Sequence, residues 1–192
     1  MNPGADLAAV LFAGGRSTRM GMDKAFLSWG GARLIDRQLA LLRTLQPDEL
    51  ILSGREGVVY GTPPEVLVVV DREPGLGPLA GLCAAFAATR SPHLIVLAVD
   101  MPLMTRELLA ELAGRRRAGR GVVVRFSGGL EPLAAVYPRS MQMHAEAALR
   151  GGCLALRELI ARALVAGELD EWEPGEEQAR AFANWNEPGD VL

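Results

Sequence analysis

Short, continuous apolar runs at Leu7 to Ala13, Leu50 to Leu52, Val66 to Val70 and Leu94 to Val99 constrain this chain more than any other feature. Runs of this length suit strands buried on both faces of a parallel sheet, although periodicity alone does not exclude buried helix. Helical patterns lie between them. From Arg33 to Leu45 the residues Leu34, Ile35, Leu39, Leu41, Leu42 and Leu45 fall near one helical face. Pro78 to Thr89 begins with proline at a first helical position and continues with small residues suited to close packing on a sheet. Thr105 can cap a third helix running through Ala113, with Glu107 in its first turn. The alternation is βαβαβ, which predicts an α/β fold.

Beyond Gly114 the pattern changes. Gly121 to Phe126 and Pro132 to Tyr137 read as strands joined by a Gly128-Gly129 turn, so the later sheet is expected to hold an antiparallel strand. Arg139 to Arg150 and Leu154 to Ala166 read as helices separated by Gly151 and Gly152, and the acidic stretch Gly167 to Gly175 reads as irregular. The expectation is a single Rossmann-like three-layer domain over residues 1–192, with a mostly parallel sheet. Its half 7–113 would bind a nucleotide and 114–192 would form the side for a second substrate.

Composition narrows the partners. A net charge of −3 over 192 residues argues against generic nucleic-acid binding, which usually needs a positive excess. With aromatics at 5%, the core must be built from aliphatic residues, and exposed platforms of clustered rings are not expected. Cys83 and Cys153 match neither a zinc pattern nor a disulfide framework, and read as buried small hydrophobes. The best apolar run stops at Asp100, far short of the roughly 18 residues that span a bilayer. Asp6 stands before the first run where a signal peptide would carry Lys or Arg. A soluble, cytoplasmic protein with no membrane partner is expected.

The segment Phe12 to Lys24 reads FAGGRSTRMGMDK. Two glycines after a strand let backbone N–H groups approach an anion, and Arg16, Arg19 and Lys24 follow with a single acid, Asp23. Such a turn suits a di- or triphosphate, although a glycine turn beside a solvated basic face would use the same residue types. It is not a Walker A loop, because five residues separate Gly15 from Gly21 and Met22 follows. Gly75, Gly77 and Gly81 form GxGxxxG and not GxGxxG.

Taken whole, this string resembles the signature of the nucleotidyltransferase superfamily, and more closely that of the molybdenum cofactor guanylyltransferases. GPLAG at Gly77 to Gly81, VDMP at Val99 to Pro102, EPLAAVYP at Glu131 to Pro138 and FANWN at Phe182 to Asn186 continue the resemblance in family order. The resemblance implies a nucleotide site built from Phe12, Ala13, Gly14, Gly15, Lys24, Ser53, Asp71, Gly77 and Asp100. Phe12 stands where leucine is usual. Ser53 stands where some members carry asparagine, so it keeps a hydroxyl of shorter reach.

Asp71 and Asp100 each follow an apolar run directly, and ligands of open α/β sheets bind outside the carboxyl ends of strands. The resemblance makes Asp100 the ligand of Mg²⁺, a cation that binds nucleotides through one or two carboxylates plus phosphate oxygens and water. It places Asp71 nearer the base, where a carboxylate could accept from the N1 and 2-amino groups of guanine. Ala13-Gly14-Gly15 matches the guanine enzymes, whereas cytidylyl relatives tend to carry Ala-Ala-Gly. Asn184 and Asn186 match an NxN segment that faces the second substrate or approaches the metal, with a C-terminal turn as the alternative. Arg157 resembles a position on the pterin side, while a solvated helix arginine is the commoner case.

The activity so implied is transfer of GMP from GTP to molybdopterin carrying molybdenum, with release of pyrophosphate. The attacking phosphate oxygen is already anionic, so alignment and charge neutralisation by Arg19, Lys24 and Asp100 would carry catalysis. His93 and His144 have no motif context. Molybdoenzymes or their chaperones are the protein partners this reading allows. Two alternatives stay open: a cytidylyltransferase of the same fold acting on molybdopterin or another phosphorylated small molecule, and a non-catalytic nucleotide-binding protein that delivers cofactor.

Overall fold

The computed structural model describes residues 6–14, 23–70, 77–126, 129–152 and 155–185. A seven-stranded sheet forms its centre. The strands are β1 (Leu7–Phe12), β4 (Glu49–Gly54), β5 (Val66–Val70), β6 (His93–Ala98), β7 (Gly121–Phe126), β8 (Gly129–Pro138) and β9 (Leu169–Trp172). They are ordered β5-β4-β1-β6-β8-β7-β9. β8 runs antiparallel to both β6 and β7, and the other pairings are parallel. A separate two-stranded hairpin is made by β2 (Ser28–Trp29) and β3 (Ala32–Arg33).

The expected three layers are present because strand side chains alternate. In β1, Leu7, Ala9 and Leu11 enter one core with Leu34, Ile35, Leu39 and Leu42 of α1 (Leu34–Arg43) and Leu108, Leu109 and Leu112 of α3 (Arg106–Gly114). Ala8, Val10 and Phe12 enter the opposite core, beneath α2 (Pro78–Ala88), α4 (Met141–Arg150) and α5 (Leu156–Val165). Both faces of β1 and β6 are buried throughout, which explains why their sequences are continuously apolar. Thr105 caps α3 as expected, its hydroxyl accepting from the Leu108 N–H at 3.3 Å, a contact typically worth about 1 kcal/mol. Among the described residues no helix is long and apolar enough to cross a membrane.

Two expectations need correction. The run Val66–Val70 is a strand, but as the sheet's edge it leaves Leu67, Val68 and Val70 exposed instead of burying both faces. The acidic stretch after Gly167 is not irregular, because it contains β9, followed by the short helix α6 (Glu176–Ala179). Leu169 and Trp172 of β9 are buried, while Asp170 and Glu171 pair with Arg120 and Arg125 beside β7. Those acids hide a strand by composition, and their partners are supplied by another part of the chain. Aromatic residues also cluster more than their number suggests. Phe126 (tilted, 5.3 Å) and Trp172 (edge-on, 5.9 Å) each pack against Phe182, and with Phe182 and Trp172 buried they form no exposed platform.

Cys83 is buried on α2, as expected, and Cys153 lies outside the described residues. His93 opens β6 and is 6% exposed. Its Nε2 lies 2.9 Å from the Arg117 carbonyl, and its Nδ1 has no hydrogen-bond partner. Burial holds its pKa below the ordinary histidine value, outweighing the Arg117 carbonyl, which favours the charged ring. The unfolded chain therefore takes up the proton first. Stability should fall as pH drops below about 6.5 toward the lowered folded value. His93→Gln keeps a donor for Arg117, and thermal melts between pH 7.5 and 5.5 should show a smaller acid-induced drop than in the wild type.

Candidate active site

The crevice forms where the sheet changes direction of winding. From β1 the chain proceeds to β4 on one side, and β6 later pairs on the other, so the carboxyl ends of β1 and β6 meet at a topological switch point. The Val99 N–H donates to the Phe12 carbonyl at 2.9 Å, and the Ala13 N–H donates to the Ser53 carbonyl at 2.8 Å. These bonds bring Phe12, Ala13, Ser53 and the start of the Asp100 turn together.

Lys24 and Asp100 meet in this crevice. Lys24 opens a short 3₁₀ turn, Lys24–Phe26, capped by Asp23, whose carboxylate accepts from the Ala25 N–H and pairs with Arg55. The turn presents the Lys24 ammonium 2.7 Å from Asp100 Oδ2, with the two side chains only 16% and 20% exposed. Residues 76 positions apart are thereby joined at the mouth of the sheet. The Asp100 turn is held by its backbone as well. The Trp185 N–H donates to the Asp100 carbonyl at 2.8 Å, and Gln38 Nε2 of α1 donates to the Met101 carbonyl at 2.5 Å. Gln38 is a buried polar residue whose role the sequence did not disclose, because its partner is a backbone carbonyl on a distant loop.

α2 completes the crevice wall. Gly77 precedes it with φ +73°, a left-handed conformation suited to glycine, and Pro78 begins the helix. At Gly81 a Cβ would stand 2.6 Å from Ser53 Oγ and 2.9 Å from Phe12 Cε1. The glycine lets the helix lie directly on the ends of β1 and β4. Ser53 is buried under this contact, with 4% exposure, and its hydroxyl faces the helix at Gly81. At Gly14, by contrast, a Cβ would meet the described residues only at 3.8 Å and beyond.

A second group of residues surrounds Asp100 on the β8 side. Glu131 was not singled out by sequence reasoning, although it begins the EPLAAVYP motif. It accepts from Asn184 Nδ2 at 3.2 Å through Oε2 and from the Leu133 N–H at 3.2 Å through Oε1. Burial pushes its carboxyl above the usual carboxylate range; the Leu133 and Asn184 hydrogen bonds pull against this, the charge of Asp100 adds to it, and that of Arg157 opposes it. Arg157 is solvent-exposed on α5, yet it is close enough for its charge to act on Glu131. Of the expected residues, Lys24 is thus joined to Asp100 and Asn184 to Glu131, and the charges of Asp100 and Arg157 both act on Glu131. Arg16, Arg19, Gly15, Asp71 and Asn186 lie outside the described residues.

Among the described residues no group of three or more His, Cys, Asp or Glu side chains converges as a metal cage. A single partly exposed carboxylate, Asp100, is nonetheless the donor set that a nucleotide-bound Mg²⁺ asks of a protein, since phosphates and water complete its octahedron. The residues present therefore fit that ion.

A protein from Opitutus terrae named "Probable molybdenum cofactor guanylyltransferase" is 37% identical over 187 residues, covering 96% of this chain and 92% of its own length. The molybdenum cofactor guanylyltransferase of Pseudomonas fluorescens is 36% identical over 156 residues, 80% of this chain and 78% of that one. The crystal structure of molybdopterin-guanine dinucleotide biosynthesis protein A from Archaeoglobus fulgidus has the same fold, with a TM-score of 0.78 at 23% identity, covering 96% of this chain and 94% of the other. The model of the MobA-like NTP transferase domain matches residues 9–171, a span that begins within β1 and includes Lys24, Asp100, Glu131 and Arg157, and the chain belongs to that family of nucleotidyltransferases.

Proposed function

We propose that this enzyme transfers GMP from GTP to the terminal phosphate of molybdenum-loaded molybdopterin, producing the guanine dinucleotide form of the cofactor and pyrophosphate. The observation that carries the reading is the Lys24–Asp100 contact of 2.7 Å at the switch point of the sheet, where β1, β6 and α2 converge. An acceptor phosphate oxygen forms a new bond to the α-phosphorus. The bond from that phosphorus to the bridging oxygen breaks, and its electron pair leaves with pyrophosphate.

The chain's contribution is placement and charge. The Lys24 ammonium offsets negative charge developing on the α-phosphate and the leaving group, and Arg19, five residues before it in the chain, adds to it. Gly77 and the N-terminus of α2 offer backbone N–H groups and a partial positive charge to the phosphates. Asp100 would hold Mg²⁺, which supplies Lewis-acid neutralisation of the phosphate oxygens. Asp71 accepts the paired N1–H and 2-amino donors of guanine, and the open space at Gly14 leaves room for the larger base. Arg157 and Asn184 serve the acceptor side.

Asp100→Asn and Lys24→Ala should each retain the fold and lower turnover by about a hundredfold or more, as expected for loss of one preorganised charge contact. Pyrophosphate release from GTP with loaded molybdopterin checks this, and near-normal turnover in either variant would remove the assigned roles. Among the described residues Gly14→Ala meets no close atom, and the variant should melt within a few degrees of the wild type. Its GTP-to-CTP ratio of kcat/KM should fall at least severalfold. An unchanged ratio, or a wild-type preference for CTP, would overturn the base assignment.

A further inference from the structure

Glu131 stands at an irregular point in the sheet. β7 and β8 pair in register through Val123 and Ala135, and then the register shifts so that Val124 faces Glu131. The intervening segment begins with Pro132, which has no N–H to donate to a ladder. The backbone groups released there are met by side chains. The Tyr137 hydroxyl donates to the Pro132 carbonyl at 2.7 Å, and the Leu133 N–H donates to Glu131 Oε1 at 3.2 Å. The β6–β8 ladder ends at Leu97 with Ala134, so Glu131 and Asp100 both lie beyond it, near enough for the Asp100 charge to act on the Glu131 carboxyl.

Both oxygens of that carboxylate are engaged by the protein. One oxygen receives the Leu133 N–H and the other receives Asn184 Nδ2. A carboxylate only accepts, so the atom of Asn184 that faces it must be the amide nitrogen, and the orientation of the Asn184 amide follows. Asn184 is also placed by its neighbours. Trp185 is tied to the Asp100 carbonyl, and its ring packs edge-on against Trp29 with centroids 5.2 Å apart.

Building on the reading that Asn184 belongs to the acceptor side, we propose that Glu131 is a positioning residue, which fixes the Asn184 amide in the one orientation that engages the acceptor phosphate. Glu131 does not touch the reacting atoms. It couples the irregularity in β8 to the C-terminal segment, so a side chain on a central strand sets the affinity for the second substrate.

Glu131→Asp separates this role from simple support of the backbone. Aspartate readily accepts from the N–H two residues on, so the Leu133 contact survives, but the side chain is one methylene too short for Asn184. The full-length variant is expected to melt near the wild-type temperature and to keep its KM for GTP. Its KM for molybdenum-loaded molybdopterin should rise about tenfold, as in Asn184→Ala, and the double variant should be no worse than Asn184→Ala alone. Should Glu131→Asp fail to fold, Glu131→Gln replaces it in the same cycle, because a glutamine cannot accept from both donors and its best-satisfied arrangement turns the Asn184 amide over. An acceptor KM within twofold of wild type in the Glu131 variant, or independent multiplying effects in the double variant, overturns the inference while leaving the acceptor side in place. An unchanged acceptor KM in Asn184→Ala overturns both the inference and the acceptor-side reading, and leaves the GTP site to stand on the Lys24 and Asp100 variants.

Discussion

The turn at Asp100 is the constraint on which the site depends. Its backbone is tied on three sides: the Val99 N–H to β1, the Asp100 carbonyl to Trp185, and the Met101 carbonyl to Gln38 of α1. A loop bearing a half-buried carboxylate would otherwise have many conformations to lose when a ligand binds. Here that cost is met in folding, and the carboxylate stands ready beside Lys24. The same three bonds join the first strand, the first helix and the C-terminal segment, so the local geometry of the site and the long-range organisation of the fold are one set of contacts.

Charge is arranged at two scales. The whole chain carries −3, which governs solubility and repels extended polyanions. The crevice differs from this average because Lys24 is held against Asp100 in a partly buried setting, where screening is weaker than at the surface. Beside it Asp23 pairs with Arg55, and at the far edge of the sheet Asp170 pairs with Arg120 and Glu171 with Arg125. The two pairs at β9 are substantially exposed and contribute little to stability by themselves.

Local pattern was sufficient for the elements whose burial is uniform. β1 and β6 are buried on both faces, so their apolar runs marked them directly, and the glycine-rich string after β1 marked the crevice. Lys24 and Asp100 were legible for the same reason, since each adjoins such a run or string. β9 was not, because half of its residues are acids whose matching arginines lie on β7 and just before it. Glu131 escaped notice because most of its environment comes from distant segments: Asp100 is in the turn after β6, Arg157 on α5 and Asn184 beyond α6. Its position at the head of a quoted motif was the available signal.

The sequence by itself determined the α/β alternation, the family and the cations and carboxylates available for phosphate chemistry, because these are carried by contiguous residues. Only the tertiary structure decided which of them meet. Lys24 reaches Asp100 because β1 and β6 are neighbours, and Glu131 meets Asn184 where β8 shifts register against β7 beside Pro132. Pairing and register act between segments far apart in the chain, so no local pattern encodes them, and they turn a list of charged residues into a site.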